Sequence, residues 1–153
     1  MKVLLKGRDL MDAGPAQSVS CTFFVPGRAE PERKRQVPPR GAFRGARVDT
    51  PKARDYKARI ALCARDAMGY RAPFDGPLRL EWVEYRQRTS TYRKSDRYPF
   101  RRPDCTNIQK LLEDAMTGIV WRDDAQVCEI VSQKRFVETD QAPGLQVHVR
   151  SLL

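Results

Sequence analysis

The sequence predicts an α+β fold in which two main helices lie against a small mixed β-sheet. Two stretches, 50–69 and 106–118, repeat apolar residues at helical spacing between a capping residue and a glycine. Four other stretches are rich in β-forming residues and are bounded by turn residues. Their order along the chain is β, α, β, α, β, β, which is typical of an α+β domain.

The chain length and charge indicate one basic domain. The 153 residues carry 29 Lys and Arg against 19 Asp and Glu, for a net charge of +10. We expect residues 1–17 to form an N-terminal extension and residues 18–153 to form the domain. Because arginine's flat charged fork suits phosphate, the charge favours a polyanionic partner over a basic surface kept only for solubility.

Several classes of protein are excluded by the cysteine and hydropathy patterns. The four cysteines are scattered and stand with a lone His148, so neither a zinc site nor a secreted disulfide framework is predicted. No apolar run reaches the roughly 20 residues that a membrane span needs, and no signal-peptide core is visible. We therefore expect reduced thiols in a cytoplasmic protein with no membrane contact and no organic cofactor.

The first strand is followed by a long basic arm. "SVSCTFFVPG" (18–27) is rich in β-formers and ends at Pro26-Gly27. Residues 28–48 then carry seven basic residues among prolines and glycines without periodicity, which predicts a long loop. An arm of this kind favours contact with nucleic acid over a solvated spacer. Its candidate DNA contacts are Arg33, Lys34 and Arg35.

The first helix leads into a second strand. Thr50 is a suitable cap with Pro51 in the first turn, and Gly69 ends the helix. Its core face is predicted to comprise Tyr56, Ile60, Cys63, Ala64 and Ala67. "GPLRLEWVEYRQR" (76–88) then alternates, which predicts one strand face with Leu78, Leu80 and Trp82.

A second basic stretch, 86–102, follows this strand. Its seven Arg and Lys residues stand beside Tyr92, Tyr98 and Phe100, a mixture typical of a loop that faces DNA. The alternative is that these aromatic rings pack the loop onto the domain. The candidate DNA contacts here are Arg93, Lys94, Arg101 and Arg102.

The second helix is amphipathic and precedes the last two strands. Its predicted core face is Ile108, Leu111, Leu112 and Ala115, and Gly118 ends it. Thr106 with Gln109 three residues later fits a capping box at its start. The stretches 125–138 and 144–153 predict the remaining strands.

Acidic residues flank this second helix on both sides. Asp104 precedes it, and Asp123 and Asp124 follow it. We expect these carboxylates to converge, because a divalent cation resolves their repulsion and Mg²⁺ prefers oxygen ligands. Lys110 on the polar face would neutralise charge at a phosphodiester. The alternatives are a helix cap at Asp104, a polar turn at Asp123-Asp124 and an ordinary pair of Lys110 with Asp114.

The stretch "RPDCTNIQKLLEDAMTG", followed by "VWRDDAQV" and by Lys134 in "SQKRF", resembles the RusA family of Holliday-junction resolvases. The resemblance implies a Mg²⁺-dependent endodeoxyribonuclease, with Mn²⁺ as a possible substitute, in DNA recombination and repair. It also implies a homodimer that makes paired symmetric cuts in branched DNA. A second hypothesis is a branched-DNA-binding protein that cuts weakly or not at all.

The resemblance also implies roles for individual residues. Asp104, Lys110 and Asp124 match catalytic positions, and Asp123 matches a companion acid. Asn107 and Lys134 match positions of the pattern, and Lys134 is a further candidate DNA contact. Thr106 stands where the family pattern has an aspartate.

Three interpretations of Thr106 remain open. The favoured one has Asp104, Asp123 and Asp124 hold the metal, with Thr106 contributing through a water. Asp114 on the polar face of the helix would otherwise supply the missing acid. In the third, the site is degraded and the protein binds junctions without cutting them efficiently.

Overall fold

The protein is described by a computed structural model that covers residues 19–30, 34–36 and 47–153. Its main sheet contains β1 (Ser20–Pro26), β4 (Leu78–Arg86), β5 (Val127–Phe136) and β6 (Gly144–Ser151) in the order β1-β6-β4-β5. β6 pairs antiparallel with β1 and β4, whereas β5 pairs parallel with β4 at the edge. With helices α1 (Pro51–Met68) and α2 (Cys105–Met116), this confirms the predicted α+β fold with a small mixed sheet.

Both helices cover the same face of the sheet, and the hydrophobic core lies between the helices and that face. Alternate residues of each strand point toward the helices, because side chains of a strand alternate between its two faces. The strand residues in this core are Cys21, Phe23, Val25, Leu78, Leu80, Trp82, Leu145, Val147 and Val149. The opposite face carries an ion-paired group that includes Arg79, Glu81 and Glu129. A sheet with one solvated face is common where strands are antiparallel.

α1 begins and ends as the sequence predicts. Thr50 caps it by accepting a hydrogen bond from the Ala53 amide at 3.4 Å, and Gly69 follows it with a φ of +57°. Of the predicted core face, Tyr56, Ile60 and Ala64 are buried, and Cys63 and Ala67 are half-buried against the core.

α2 buries its predicted face but begins differently. Ile108, Leu111, Leu112 and Ala115 are all buried. The predicted capping box of Thr106 and Gln109 is wrong, because Asp104 is the N-cap. Gln109 instead accepts a hydrogen bond from Trp82 Nε1 at 2.6 Å and donates one to Glu113 Oε1 at 2.7 Å. Because Gln109 links α2 to β4, its side chain is not available to cap the first turn of α2.

The predicted arm at 28–48 is partly structured. β2 (Lys34–Gln36) and β3 (Arg47–Asp49) form an antiparallel pair, so the interpretation of the whole arm as a loop is wrong. Three-residue strands are too short to show a period of two in the sequence. The extension 1–17, the rest of the arm at 37–46 and Arg33 lie outside the described residues, as do the side chains of Lys34 and Arg35.

Cys21, Cys63, Cys105 and Cys128 are free thiols. Within the ranges that the structure describes, no helix is long and apolar enough to cross a membrane.

Gly144→Ala should destabilise the protein. A Cβ at Gly144 would lie 2.5 Å from the Val25 carbonyl oxygen and would overlap the Phe24 ring, so β1 and β6 would have to separate. We expect the free energy of unfolding to fall by about 1–3 kcal/mol, measured by urea denaturation. Thr139→Ala, in the exposed turn before β6, is the control and should change little. Equal stability of the two variants would contradict this packing.

Candidate active site

The two acids after α2 lie in a short capped turn. Asp123 Oδ1 accepts a hydrogen bond from the Ala125 amide at 2.8 Å and begins a single 3₁₀ turn, Asp124–Gln126. Gln126 Oε1 reaches back to the amides of Arg122 at 2.9 Å and Asp123 at 3.2 Å, which completes a capping box. Its Nε2 donates to the Phe74 carbonyl at 2.9 Å. The glutamine of "DDAQV" thus fixes the turn that presents Asp124 to solvent.

A third acid joins this pair at the C-terminal end of α2. Asp114, Asp123 and Asp124 line one cleft of about 540 Å³ together with Lys57, Thr117 and Arg122. Lys57 Nζ of α1 lies 3.7 Å from Asp114 Oδ2. A neighbouring cleft shares Lys57, Asp114 and Thr117 and continues along α1 past Arg54 and Arg65. The acids therefore lie beside a row of cations. Such an arrangement suits a phosphate backbone together with the cations bound to it.

Asp104 lies at the other end of α2. It is exposed, and its Oδ1 accepts a hydrogen bond from the Asn107 amide at 3.4 Å. Ten residues separate it from Asp114, which at 1.5 Å per residue is about 15 Å of helix. The predicted convergence of acids from both ends of α2 therefore does not occur within one chain. α2 holds its two ends apart as a rigid spacer.

A polar stripe on α2 connects the two ends. Thr106, Lys110 and Asp114 follow at intervals of four residues and are exposed, so they share one side of the helix. Asn107 is exposed one turn before Lys110. Lys110 thus lies between Asp104 and the acidic cleft, at about one helical turn from Asp114.

The exposed acids offer ligand atoms that suit a divalent cation. Carboxylate oxygens are the ligands that Mg²⁺ prefers. Across residues 19–30, 34–36 and 47–153, however, no group of three or more His, Cys, Asp and Glu side chains is arranged to hold a metal ion.

The basic loop between β4 and α2 is ordered by its own side chains. Arg88 donates to the carbonyls of Arg93 and Asp96, each at 2.8 Å, and its guanidinium lies 3.9 Å from the Phe136 ring centroid. The Tyr92 ring meets the rings of Phe136 and Phe100 edge-on at 5.0 and 5.6 Å. For Tyr92, the alternative of packing onto the domain is therefore confirmed.

The remaining groups of this loop face solvent. Tyr98 and Phe100 are 65% and 68% exposed. The predicted DNA contacts Arg93, Lys94, Arg101 and Arg102 are all exposed. Arg101 also donates from Nη2 to the Thr91 carbonyl at 2.8 Å, which helps to hold the loop closed.

Two cations in this region have other partners than solvent. Lys134 Nζ donates to the carbonyls of Arg101 and Pro103, each at 2.8 Å, so two of its three N–H groups are directed into the protein. Arg86, counted within the basic stretch, is only 6% exposed and pairs with the buried Glu84. Leu78 and Trp82 face the core, and the same alternation continued along the strand predicts that positions 84 and 86 also face inward. The approach of Lys57 to Asp114 had no comparable signal in the sequence, because it depends on how α1 packs against α2.

Comparison with known proteins identifies the family. The family model described as Endodeoxyribonuclease RusA matches residues 26–150. The chain belongs to the RusA endodeoxyribonuclease family. The match includes both ends of α2, the turn of Asp123 and Asp124, and Lys134. No curated protein matches the chain.

Membership of the RusA family gives the site its context. RusA proteins act as nucleases on DNA junctions and bind branched DNA, and they generally depend on a divalent metal. The resemblance predicted from "RPDCTNIQKLLEDAMTG" and "VWRDDAQV" is thereby confirmed. The roles of individual acids and cations stay predictions.

Tyr92→Ala should loosen the basic loop without unfolding the domain. The variant loses the ring contact with Phe136 of β5 and the ring contact with Phe100 within the loop, so trypsin should cut within residues 87–102 several-fold faster. Tyr98→Ala is the matched control, because Tyr98 is exposed. Identical digestion of the two variants, analysed by mass spectrometry, would contradict the anchoring role of Tyr92.

Proposed function

We propose that this protein is a divalent-cation-dependent endodeoxyribonuclease that resolves four-way DNA junctions in recombination and repair. The observation that carries the proposal is the cleft where Asp114, Asp123 and Asp124 meet Lys57, in a chain matched by the RusA model. Mg²⁺ is the proposed cation and Mn²⁺ its substitute, because all three acids offer hard oxygen ligands. Such a protein would act in the cytoplasm of a bacterial or phage-infected cell.

Binding to the junction is proposed to use the ordered basic loop. Arg93, Lys94, Arg101 and Arg102 are exposed on a loop whose conformation is fixed by Tyr92 and Arg88. An ordered loop loses little conformational entropy on binding. Because these cations would displace counterions from DNA, affinity should fall steeply as salt rises.

A homodimer is proposed to complete the metal site. Asp104 and the Asp123-Asp124 turn lie at opposite ends of α2, about 15 Å of helix apart or more. If two copies meet with their α2 helices antiparallel about a two-fold axis, Asp104 of each copy faces the acidic cleft of the other. Two equivalent sites result, which suits paired cuts in a junction with its own two-fold symmetry.

The edge of the sheet beside α2 offers a surface for this contact. β5 pairs only with β4 among the described strands, so its outer backbone edge is open. Cys128, Ile130 and Ser132 are exposed there, and Ile130 is 47% exposed. Ile130 and Ser132 pair in register with Leu80 and Trp82 and so point to the helix side of the sheet. An apolar residue on an unpaired edge strand favours contact with a second chain.

The second candidate function is a branched-DNA-binding protein with weak or no cleavage. Thr106 supports it, since a neutral hydroxyl stands where the family pattern has an aspartate and contributes no charge. The lack of a complete acid group within the described part of one chain also supports it. The exposed basic loop would serve either function.

The deciding experiment is cleavage of a synthetic four-way junction. We expect symmetric nicks with Mg²⁺ or Mn²⁺ and none after chelation, and we expect Asp124→Asn to lose at least about tenfold in rate while still binding the junction. Products are resolved on a denaturing gel, and binding is measured by mobility shift. Asp140→Asn is the control, since that exposed acid lies in the turn before β6. Binding without nicks under every metal condition would favour the second candidate.

Mixed dimers test whether the two chains share a site. Asp104→Asn and Asp124→Asn subunits are co-expressed with different tags, and the mixed dimer is purified. In the proposed arrangement one of its sites carries both substitutions and the other carries neither, so nicking should return to roughly half the wild-type rate. Paired resolution should stay low, because only one site is intact.

Two outcomes would contradict the shared site. A mixed dimer as inactive as both parents would mean that each site lies within one chain. Wild-type cutting by Asp104→Asn alone would mean that Asp104 only caps α2, at about 1 kcal/mol of helix stability.

A further inference from the structure

A buried charged cluster lies beneath the segment that enters α2. Glu84 and Arg86 come from β4 and are 1% and 6% exposed, and Lys134 comes from β5. The parallel register sets Glu84 directly beside Lys134, so both side chains project to the helix side of the sheet. Arg86 Nε lies 2.9 Å from Glu84 Oε2.

The two cations of the cluster bind three successive backbone carbonyls. Arg86 Nη1 donates to the carbonyls of Arg101 at 2.9 Å and Arg102 at 2.8 Å, and Nη2 donates to that of Pro103 at 3.4 Å. Lys134 Nζ donates to the carbonyls of Arg101 and Pro103, each at 2.8 Å. The next residue is Asp104. Arg86 and Lys134 thus hold the segment immediately before a proposed metal ligand by five hydrogen bonds.

Stability alone does not account for this cluster. Burial raises the pKa of Glu84 and lowers the pKa of Lys134, so each charge is costly where it lies. Neither carboxylate oxygen of Glu84 has a hydrogen-bond partner among the described residues, and neither does Arg86 Nε, so Glu84 and Arg86 are held together by charge. Apolar side chains of similar volume often replace buried ion pairs without loss of stability. What they cannot replace is the set of directed donors that fixes the carbonyls of residues 101–103.

We propose that Glu84, Arg86 and Lys134 are positioning residues that set the direction of Asp104, and that Lys134 acts on this segment rather than on DNA. Glu84 orients the Arg86 guanidinium, and Arg86 and Lys134 hold the carbonyls inward. The start of α2, with the Asp104 carboxylate as its cap, is thereby fixed relative to the sheet. The effect on catalysis rests on the proposed function, because it requires that Asp104 take part in cleavage.

Lys134→Met tests the proposal, with Arg135→Met as the matched control. Arg135 is the exposed neighbour on the other face of β5 and bonds only locally, to Gln133 Oε1 at 2.9 Å. At saturating junction and Mg²⁺, we expect Lys134→Met to lower kcat at least about tenfold while the junction Kd stays within about twofold. Lys134→Arg, which keeps charged donors, should restore most of kcat. Arg135→Met should retain the wild-type kcat.

A phosphate contact would behave in the opposite way. In that case Lys134→Met would weaken junction binding, reduce the slope of log Kd against log salt by about one, and leave kcat unchanged. That result overturns the proposal. So does an unchanged kcat with an unchanged Kd.

Hydrogen exchange separates this inference from the proposed nuclease. We expect amides 105–108, in the first turn of α2, to exchange at least about tenfold faster in Lys134→Met, with the sheet unchanged. This readout needs no catalysis, so an inactive wild-type chain would refute the nuclease while leaving the positioning testable. Unchanged exchange in the first turn would refute the positioning. If Lys134→Met does not fold, Lys134→Ala, which also removes the donors, takes its place with the same criteria.

Discussion

The buried face of α2 fixes the geometry on which the rest of the site depends. Leu111 and Leu112 are fully buried, and Gln109 ties the helix to Trp82 of β4, so its axis cannot shift freely over the sheet. A helix of 12 residues is about 18 Å long. Acids attached at its two ends are therefore held apart by the same packing that stabilises the domain. The homodimer that we propose is motivated by this length.

The arrangement of charge explains how a strongly basic protein tolerates clustered acids. Lys57 lies near Asp114, and Arg122 lies 3.6 Å from Asp75, so cations are interspersed with carboxylates around the cleft. Arg122 and Asp75 are largely exposed and Lys57 and Asp114 are partly exposed, so solvent weakens each pair. In the proposed function, a metal cation and the phosphates of DNA would replace these weak ion pairs at little cost in free energy. The buried cluster beneath residues 101–103 cannot exchange its partners in this way, which fits a role in holding that segment in one position.

Local patterns predicted most of the fold and the identity of the family. The cap at Thr50, the glycine at 69 and the alternation in β4 each act over a few residues, so the sequence carries them directly. The start of α2 was misassigned because Asp104 and Thr106 are both good caps and only tertiary contacts engage Gln109. The approach of Lys57 to Asp114 and the inward turn of Lys134 depend on packing between elements distant in sequence. No local pattern records such contacts.

The parallel register of β4 and β5 restricts how this chain can change in length. Glu84 faces Lys134 because Lys134 lies four positions after Ile130, and an even offset along a strand returns the side chain to the same side of the sheet. Losing or gaining one residue in that interval would turn the ammonium to the solvated face and put Gln133 or Arg135 beneath the carbonyls. Relatives that vary here should therefore do so in pairs of residues or through a bulge. The number of residues between "DDAQV" and the lysine therefore decides which side of the sheet the lysine faces.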